Sequence, residues 1–320
     1  MNGIDALYAG FVGSLPEKLR PFARDLPHFL ALSPGAGASF SDVFSHPVTL
    51  EAPKLVAQAL PHAEPEKVRA AVIAHALSVL EASLRDRVAL RKLRPHPELS
   101  LLGIEFKRSR DAVLESVWSG ARALAHSADR ETEEAFKEQD ALLRRLSAVS
   151  FDDYRRISRA KLALGLPASV GLAHASGASH TQVEAVRRAL VGVALGQQFE
   201  DDAGDWEDAW RRGGGAWAVS LARRRLESVR DQNADERPTE PDLVRRRVHR
   251  TRVLYSMLRA ARHQYRSAWR YARLLGAEPL VLWTEQRLRR LDGLLPLEAR
   301  HAGYVVRAIK LAPWASEVLT

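Results

Sequence analysis

Val191-Gly-Val-Ala-Leu-Gly-Gln-Gln-Phe-Glu-Asp-Asp-Ala-Gly-Asp-Trp-Glu-Asp208 is the stretch from which the fold of this chain can be predicted. It begins as an apolar helix of small residues and becomes acidic toward its C-terminal end. Residues three or four apart share one face of an α-helix, so one face carries Gln198, Asp201, Asp202 and Asp205. Three crowded carboxylates repel each other unless a cation lies between them. Mg²⁺ suits such a site because it binds carboxylates together with water and phosphate oxygens. The alternative is a solvated acidic helix face.

The same residues carry a resemblance. Gln198-Phe-Glu-Asp-Asp-Ala-Gly-Asp205 resembles the second aspartate-rich motif, Q-x-x-D-D-x-x-D, of the trans-prenyl diphosphate synthases. That family belongs to the class I isoprenoid synthases, whose fold is an all-α bundle around a central cavity. The resemblance implies that Asp201, Asp202 and Asp205 are catalytic metal ligands that hold Mg²⁺ against a prenyl diphosphate substrate. It also implies that Gln198 belongs to the substrate site.

The composition is that of an ordinary globular chain. Of 320 residues, 46% are hydrophobic and 27% are charged, which is enough apolar material for a sizeable core. The absence of cysteine excludes disulfides, thiolate metal sites and a cysteine nucleophile. No apolar stretch is long enough to span a membrane, and no signal peptide is recognisable at the N-terminus, so we expect a cytoplasmic protein that is not integral to a membrane.

The net charge of +9 raises the question of nucleic acid as a partner. The arginines are spread along amphipathic helices and mixed with acidic residues, and no known nucleic-acid-binding motif accompanies them. We therefore do not expect nucleic-acid binding, and a basic chain also suits an anionic diphosphate. The resemblance suggests a homodimer, because members of the family are commonly homodimers.

Hydrophobic periodicity predicts helices throughout and no alternating strands. We expect one domain over 1–320, with N-terminal helices and a loop over 1–40 and a surface loop over 230–241. Predicted helices cover 66–93, 99–126, 131–147, 151–164, 167–175 and 181–209, followed after glycines 213–215 and the loop by a long helix. The apolar stripe of that helix runs from Val244 to Trp269. A final helical region spans about 280–311 and is predicted to break near Pro296.

A second motif lies upstream. Tyr154-Arg-Arg-Ile-Ser-Arg-Ala-Lys161 resembles the family pattern Y-x-x-x-x-x-x-K, which precedes a run of small residues, and in the family this lysine contacts the diphosphate. The resemblance therefore implies that Lys161 binds substrate. By itself, such a lysine is more often simply solvated on a helix surface.

The first aspartate-rich motif of the family, L-x-D-D-x-x-D, is degenerate here. One alignment matches it to Leu84-Arg-Asp86-Arg87-Val-Ala-Leu90, and another sets Ala82, Ser83 and Asp86 at the three acidic positions and His75 on a family histidine. In both alignments Asp86 is the one acidic residue that remains, and the resemblance implies that it is a catalytic carboxylate. Arg85 and Arg87 would oppose a metal ion, but arginine is suited to bidentate contact with a diphosphate. The simpler alternative is an Arg–Asp pair on the helix surface.

The acceptor motif of the chain-elongating enzymes, G-K-x-x-R-P, is absent from the corresponding region 41–50, and Lys18-Leu-Arg-Pro21 resembles it too far upstream. The N-S/T-E metal triad of terpene cyclases is also absent, because the asparagines are Asn2 and Asn233. Our leading hypothesis is a Mg²⁺-dependent terpene synthase-like enzyme that ionises one allylic diphosphate. The alternatives are a prenyl diphosphate synthase that uses isopentenyl diphosphate, and a non-catalytic partner subunit.

Overall fold

A computed structural model describes the chain as a bundle of helices. The described residues are 3–30, 32–33, 35–44, 48–89, 96–144, 148–211, 216–228 and 241–311, with side chains described except at 89, 144, 227–228, 241–242 and 304–311. Within these ranges there are sixteen α-helices, two short 3₁₀ turns and no strand. The prediction of an all-α fold is therefore confirmed.

The helices of the first half are α1 (Ile4–Ser14), α2 (Arg20–Arg24), α3 (Leu26–Phe29), α4 (Phe40–Val43), α5 (Ala52–Ala57), α6 (Pro65–Ala89), α7 (Pro97–Val117), α8 (Ala121–Arg144) and α9 (Phe151–Lys161). Those of the second half are α10 (Pro167–Ala175), α11 (His180–Gly204), α12 (Trp206–Arg211), α13 (Trp217–Ser228), α14 (Pro241–Arg250), α15 (Val253–Leu275) and α16 (Glu278–Leu311). The 3₁₀ turns are Glu17–Leu19 and Ala163–Gly165. Six helices of more than twenty residues, α6, α7, α8, α11, α15 and α16, supply the framework.

The acidic helix α11 packs along α15 at close range. A Cβ atom at Gly192 would lie 2.8 Å from the backbone oxygen of Gln264, and one at Gly196 would lie 2.5 Å from the ring of Tyr265. Only glycine at these two positions lets the helices approach so closely. The small residues before the acidic motif therefore fix the position of α11, and with it the carboxylates.

Opposite this pair, α6 packs on α7, and α16 packs on α15. One continuous apolar core runs from Ile4 in α1 to Leu291 in α16. Leu77, Leu80 and Leu84 of α6 belong to that core and are almost fully buried. The remaining face of α6 and one face of α11 line a cavity of about 480 Å³. This supports the predicted arrangement of a bundle around a cavity.

Two predicted helices are interrupted. The pattern over 99–126 is two helices, α7 and α8, because the backbone of Trp118 is extended and the chain turns at Ser119 and Gly120. The long helix predicted after the loop is also two, α14 and α15. The backbone of Arg252 adopts the left-handed conformation, with φ of 55°, which ends one helix and starts the next. Apolar periodicity continues across both breaks, so the sequence pattern did not reveal them.

Other helix boundaries also differ from the prediction. The expected break near Pro296 is wrong, because α16 continues through this proline. Packing of α16 against α14 and α15 offsets the hydrogen bond that proline cannot make. The predicted helix 181–209 ends at Gly204, and Asp205 is its C-cap before α12 begins.

Several predicted features lie outside the described residues. They are Leu90 at the end of one proposed first motif, the glycines 213–215, and the loop 230–241 with Asn233, except for its last residue. Among the described helices, none combines the length and apolar character required to cross a membrane.

Candidate functional site

The cavity between α6 and α11 changes in polarity along its walls. On α11 the lining residues are apolar at Leu190, Val193 and Ala194 and polar from Gln197 to Asp205. From Leu190 to Asp201 this wall is about 16 Å long at 1.5 Å per residue. The other apolar lining residues include Leu32, Val43, Phe44, Val48, Val79, Phe136, Leu162, Leu164 and Leu166. The cavity therefore suits a molecule with a charged head and a hydrocarbon tail.

The acidic wall comes from the C-terminal end of α11. Asp201, Asp202 and Asp205 all line the cavity, as their spacing predicted. The backbone N–H of Asp205 donates to the carbonyl of Asp201 and closes the last turn. The C-terminal end of a helix carries a partial negative charge. Carboxylates at that end make this part of the cavity strongly attractive to cations.

Two neighbours hold Asp202 in place. The hydroxyl of Tyr154, from α9, donates to Asp202 Oδ2 at 2.7 Å, and Gln198 Nε2 donates to the same oxygen at 2.9 Å. Gln198, predicted to bind substrate, therefore lines the cavity and also orients a carboxylate. Asp201 differs, since no described residue gives its carboxylate a hydrogen bond or an ion pair. Its side chain is open to water inside the cavity.

Asp201 and Asp202 hold protons more tightly than ordinary aspartates. The surrounding protein, and then the charges of Asp202, Glu200 and Asp205, raise the pKa of Asp201 from 3.8 to about 7. Burial raises the pKa of Asp202 to about 6, although Lys161, Tyr154 and Gln198 favour its charged form. Such shifts are typical of acidic groups gathered for a function. A divalent cation would relieve the repulsion that contributes to them.

The first wall, on α6, presents the same spacing with different residues. Ala82, Ser83 and Asp86 line the cavity at i, i+1 and i+4, as Asp201, Asp202 and Asp205 do on α11. Both alignments agree with this lining, because Asp86 and Arg87 of the other alignment also line the cavity and its last residue, Leu90, lies outside the described residues. The carboxylate of Asp86 accepts a hydrogen bond from Lys161 Nζ at 2.6 Å, which neutralises its charge. This wall is therefore poor in free carboxylate.

The two arginines beside Asp86 have different surroundings. Arg87 lines the cavity, as expected of a group that contacts substrate. Arg85 does not line the cavity, because it pairs with the buried Glu81 on the side of α6 that faces α7 and α8. Arg110 and Asp129 form a second buried ion pair on that side. The structure therefore does not bring Arg85 to the site. Its position next to Asp86 in the sequence turns it by about 100° around the helix.

Helix α9 connects the two walls. Tyr154 and Lys161 are two turns apart on its buried face, and they reach Asp202 and Asp86 respectively. Lys161 is only 5% exposed, so it is not the solvated lysine of the alternative interpretation. It also donates to Gln139 Oε1 at 2.8 Å and lies 5.0 Å from the ring centroid of Phe136. The spacing of Tyr154 and Lys161 thus lets α9 contact both walls of the cavity.

Some residues of the site were not predicted. Gln139 contacts Lys161, and Arg287 of α16 lines the cavity near Glu200, 3.7 Å away. No motif marks either of them, because each reaches the site only through tertiary packing. The buried His75 lies between the carbonyls of Gly165 and Thr49, and burial lowers its pKa.

Several large aromatic residues of the helices do not belong to the cavity wall. None of Trp118, Tyr255 and Trp269 is among the described residues that line the cavity. Trp118 stacks on His174, and Trp269 donates to Glu285. Phe44 and Phe136 are the aromatic side chains found at the wall.

The residues of α11 fit a hard divalent cation. Asp201 offers a carboxylate without a partner among the described residues, Asp202 is already oriented by two donors, and Asp205 completes the row. Oxygen ligands of this kind, with space for water and phosphate oxygens, are what Mg²⁺ requires. Asp86 fits less well because its charge is balanced by Lys161.

Solved structures with the same fold are prenyl diphosphate synthases. A geranylgeranyl pyrophosphate synthase from Lactobacillus brevis is 15% identical, with 89% of this chain and 95% of that chain aligned at a TM-score of 0.68. A polyprenyl synthase from Caulobacter crescentus, complexed with calcium and isoprenyl diphosphate, is 16% identical, with 88% and 93% aligned at 0.69. A decaprenyl diphosphate synthase from Rhodobacter capsulatus is 16% identical, with 89% and 95% aligned at 0.65.

Comparison of the sequence alone finds no relatives. No protein-family profile matches the chain, and no curated protein matches it significantly. The structural likeness covers nearly the whole length of both chains, so it is a likeness of the entire bundle. The chain has the all-α isoprenoid synthase fold, which confirms the resemblance at the level of the fold.

Proposed function

We propose that this protein is a Mg²⁺-dependent enzyme that transfers the prenyl group of an allylic prenyl diphosphate. The observation that carries the proposal is a cavity with three carboxylates at one end and an apolar wall at the other. Such a cavity matches an amphipathic diphosphate and leaves room for its metal ion. The likeness to prenyl diphosphate synthases supports transfer to isopentenyl diphosphate over our leading sequence hypothesis, terpene synthesis.

The acidic wall would hold the metal through Asp201, Asp202 and Asp205. Mg²⁺ at that position supplies charge neutralisation for the departing diphosphate. Tyr154 and Gln198 keep Asp202 oriented so that its second oxygen remains available. Three cationic side chains line the cavity as partners for phosphate oxygens, Lys161, Arg87 and Arg287. Arg85 has no part in this proposal.

The apolar part of the cavity would bind the hydrocarbon chain. Leu190, Val193 and Val79 exclude water from the region where the allylic cation forms. Phe136 lies beside Lys161 and presents a ring near the polar end, where an aromatic face can stabilise a cation. The walls thus separate the ionising bond from bulk water.

Terpene synthesis is the second candidate. It is favoured by one observation, the absence of G-K-x-x-R-P from the region 41–50, because an elongating enzyme must also bind isopentenyl diphosphate. A third role, as a partner subunit, is favoured by the single carboxylate of the first wall and its pairing with Lys161. One set of assays separates all three.

Purified protein is incubated with Mg²⁺ and geranyl, farnesyl or geranylgeranyl diphosphate, with and without isopentenyl diphosphate. A longer prenyl diphosphate that forms only with both substrates supports the proposal. A hydrocarbon or alcohol formed from one substrate supports terpene synthesis. No turnover alone, with co-purification of an active homologue, supports the partner role, and release of no product under any condition contradicts both enzymatic candidates.

Two variants link turnover to the acidic wall. Asp201→Asn and Asp202→Asn should each lower kcat by about 100-fold or more, since each removes a ligand for the charge-stabilising ion. Asp152→Asn is the matched control, because Asp152 is an exposed aspartate of α9 paired with Arg155 outside the cavity. Equal losses in all three variants would show that the effect does not come from the site.

A further inference from the structure

A cluster of metal-ligand residues lies outside the cavity. His249 is near the C-terminal end of α14, and Glu298 and His301 are one turn apart on α16. One ligand atom from each residue lies within 4.8 Å of the other two. None of the three belongs to the cavity wall. The proposed prenyl transfer gives this cluster no role.

Two side-chain atoms of the cluster are buried and have no hydrogen-bond partner among the described residues. His249 is only 9% exposed, and its Nδ1 has no hydrogen-bond partner among the described residues. The same holds for Oε1 of Glu298. The two atoms face each other at 3.5 Å. At this distance they form an ion pair only when His249 is protonated. Buried polar atoms are normally satisfied, and a cation between the two atoms would satisfy both.

The distance fits two ligands of one metal ion. Ligands about 2.0 to 2.1 Å from a tetrahedral ion lie roughly 3.3 to 3.4 Å apart, close to the separation of His249 Nδ1 and Glu298 Oε1. Two imidazoles and one carboxylate are a known ligand set for Zn²⁺, with water at the fourth position. Mg²⁺ instead prefers oxygen ligands. The cluster therefore differs in chemistry from the acidic wall.

We propose that His249, Glu298 and His301 bind one Zn²⁺ ion that joins α14 to α16. The ring of His249 lies edge-on to Trp206, the first residue of α12, with 6.5 Å between centroids. One turn earlier on α14, Arg245 pairs with Glu207 of α12 at 2.7 Å. The ion would thus link α14 and α16 beside α12, which follows Asp205 directly.

The contact between the two histidine rings is consistent with this assignment. The rings of His249 and His301 are nearly parallel, with centroids 4.4 Å apart and 26° between planes. His301 is exposed, so its ring can turn toward the ion and a water molecule can reach the fourth position. The site is therefore accessible to an ion from solution without unfolding of the bundle.

The test uses the full-length, tag-free protein after dialysis against a chelator. Zn²⁺ binding is measured by calorimetry in the presence of excess Mg²⁺, and Co²⁺ is used as a spectroscopic probe of tetrahedral coordination. We expect a site with a stoichiometry near one, and a loss of affinity of at least about tenfold in His301→Ala and Glu298→Gln. His126→Ala is the matched control, because His126 is an exposed histidine 3.1 Å from Asp111.

His301 is exposed, and Glu298→Gln keeps the shape of a partly exposed side chain, so these variants should fold even if His249→Ala does not. Asp201→Asn tests whether Zn²⁺ binds at the acidic wall instead. The proposal is overturned if Zn²⁺ does not bind, if affinity is unchanged in His301→Ala and Glu298→Gln, or if Asp201→Asn alone abolishes binding. A loss confined to the cluster variants, with His126→Ala unchanged, supports it.

Discussion

At the scale of single residues, two side chains of α9, Lys161 and Tyr154, contact the carboxylates of the site. Each is buried, and each reaches a carboxylate on a different wall. Lys161 balances Asp86, while Tyr154 donates to Asp202 and stays protonated, because burial and the nearby Asp202 raise its pKa. These two contacts explain why the walls differ in free negative charge.

Replacement of Lys161 by methionine should destabilise the protein by about 2 kcal/mol. Breaking a fully buried ion pair costs about 3 to 5 kcal/mol, and the partial exposure of Asp86 reduces that figure. The double variant Lys161→Met, Asp86→Asn should recover part of the loss, because no buried charge is left unpaired. Urea unfolding of both single variants and the double variant measures the coupling. Strictly additive effects would show that the two groups do not depend on each other.

Replacement of Tyr154 by phenylalanine should weaken Mg²⁺ binding. The variant removes a hydrogen bond to the charged form of Asp202, worth about 1.5 to 3 kcal/mol. Asp202 would then hold its proton more tightly, and this proton would compete more strongly with Mg²⁺ for the carboxylate. Tyr8→Phe is the control, since the buried Tyr8 hydroxyl donates to the carbonyl of Ala23 far from the carboxylates. Equal Mg²⁺ titrations of the two variants would argue against the role of Tyr154.

At the scale of elements, the position of α11 depends on its small residues as much as on its carboxylates. Gly192 and Gly196 let α15 approach, and Glu200 then accepts a hydrogen bond from the Tyr265 hydroxyl at 3.0 Å. The opposite face of the same helix carries the acidic row. Packing on one side thus determines where the metal ligands stand on the other.

We expect Gly192→Ala to destabilise the fold by about 1 to 3 kcal/mol, since a methyl group would overlap the backbone of α15. Gly103→Ala is the matched control in α7. Its added Cβ would meet Leu84 at an ordinary 3.7 Å, so higher helix propensity should stabilise the protein by about 0.5 to 1 kcal/mol. Thermal unfolding compares the two. Stabilisation by both substitutions would mean that α11 and α15 do not pack as described.

At the scale of the whole molecule, two long helices, α6 and α11, bring their C-terminal portions to one cavity, and α9 joins them. The result is one strongly acidic wall and one wall whose carboxylate is neutralised. Burial is the largest cause of the raised pKa values of Asp201 and Asp202, and for Asp201 the neighbouring carboxylates of α11 itself add to it.

These pKa values predict how stability depends on pH. In the metal-free protein, folding raises the pKa of Asp201 to about 7 and that of Asp202 to about 6, from ordinary values of 3.8. The folded state therefore binds more protons than the unfolded chain between about pH 4 and 7. The contribution of these groups to stability falls as pH rises through that window. Mg²⁺ competes with the same protons, so its stabilising effect should be present at pH 8 and lost below about pH 6.

Thermal unfolding at pH 5.5 and pH 8, with and without Mg²⁺, measures both effects. Without metal, Asp201→Asn should be more stable than the unmodified protein at pH 8, by about 1 kcal/mol after allowance for solvent screening, and the difference should shrink at pH 5.5. The same variant should respond less to Mg²⁺. A stabilisation by Mg²⁺ that is equal at both pH values would be inconsistent with the assignment of these carboxylates.

The sequence by itself determined the all-α class, the acidic row and the tyrosine–lysine spacing, because each depends on periodicity within one helix. It could not decide which side of α6 faces the cavity, so Arg85 was expected beside Arg87 and instead pairs with Glu81. Nor could it show the left-handed turn at Arg252, the pairing of Lys161 with Asp86, or the meeting of His249 with Glu298 and His301. Those depend on contacts between helices distant in the chain, which only tertiary packing brings together.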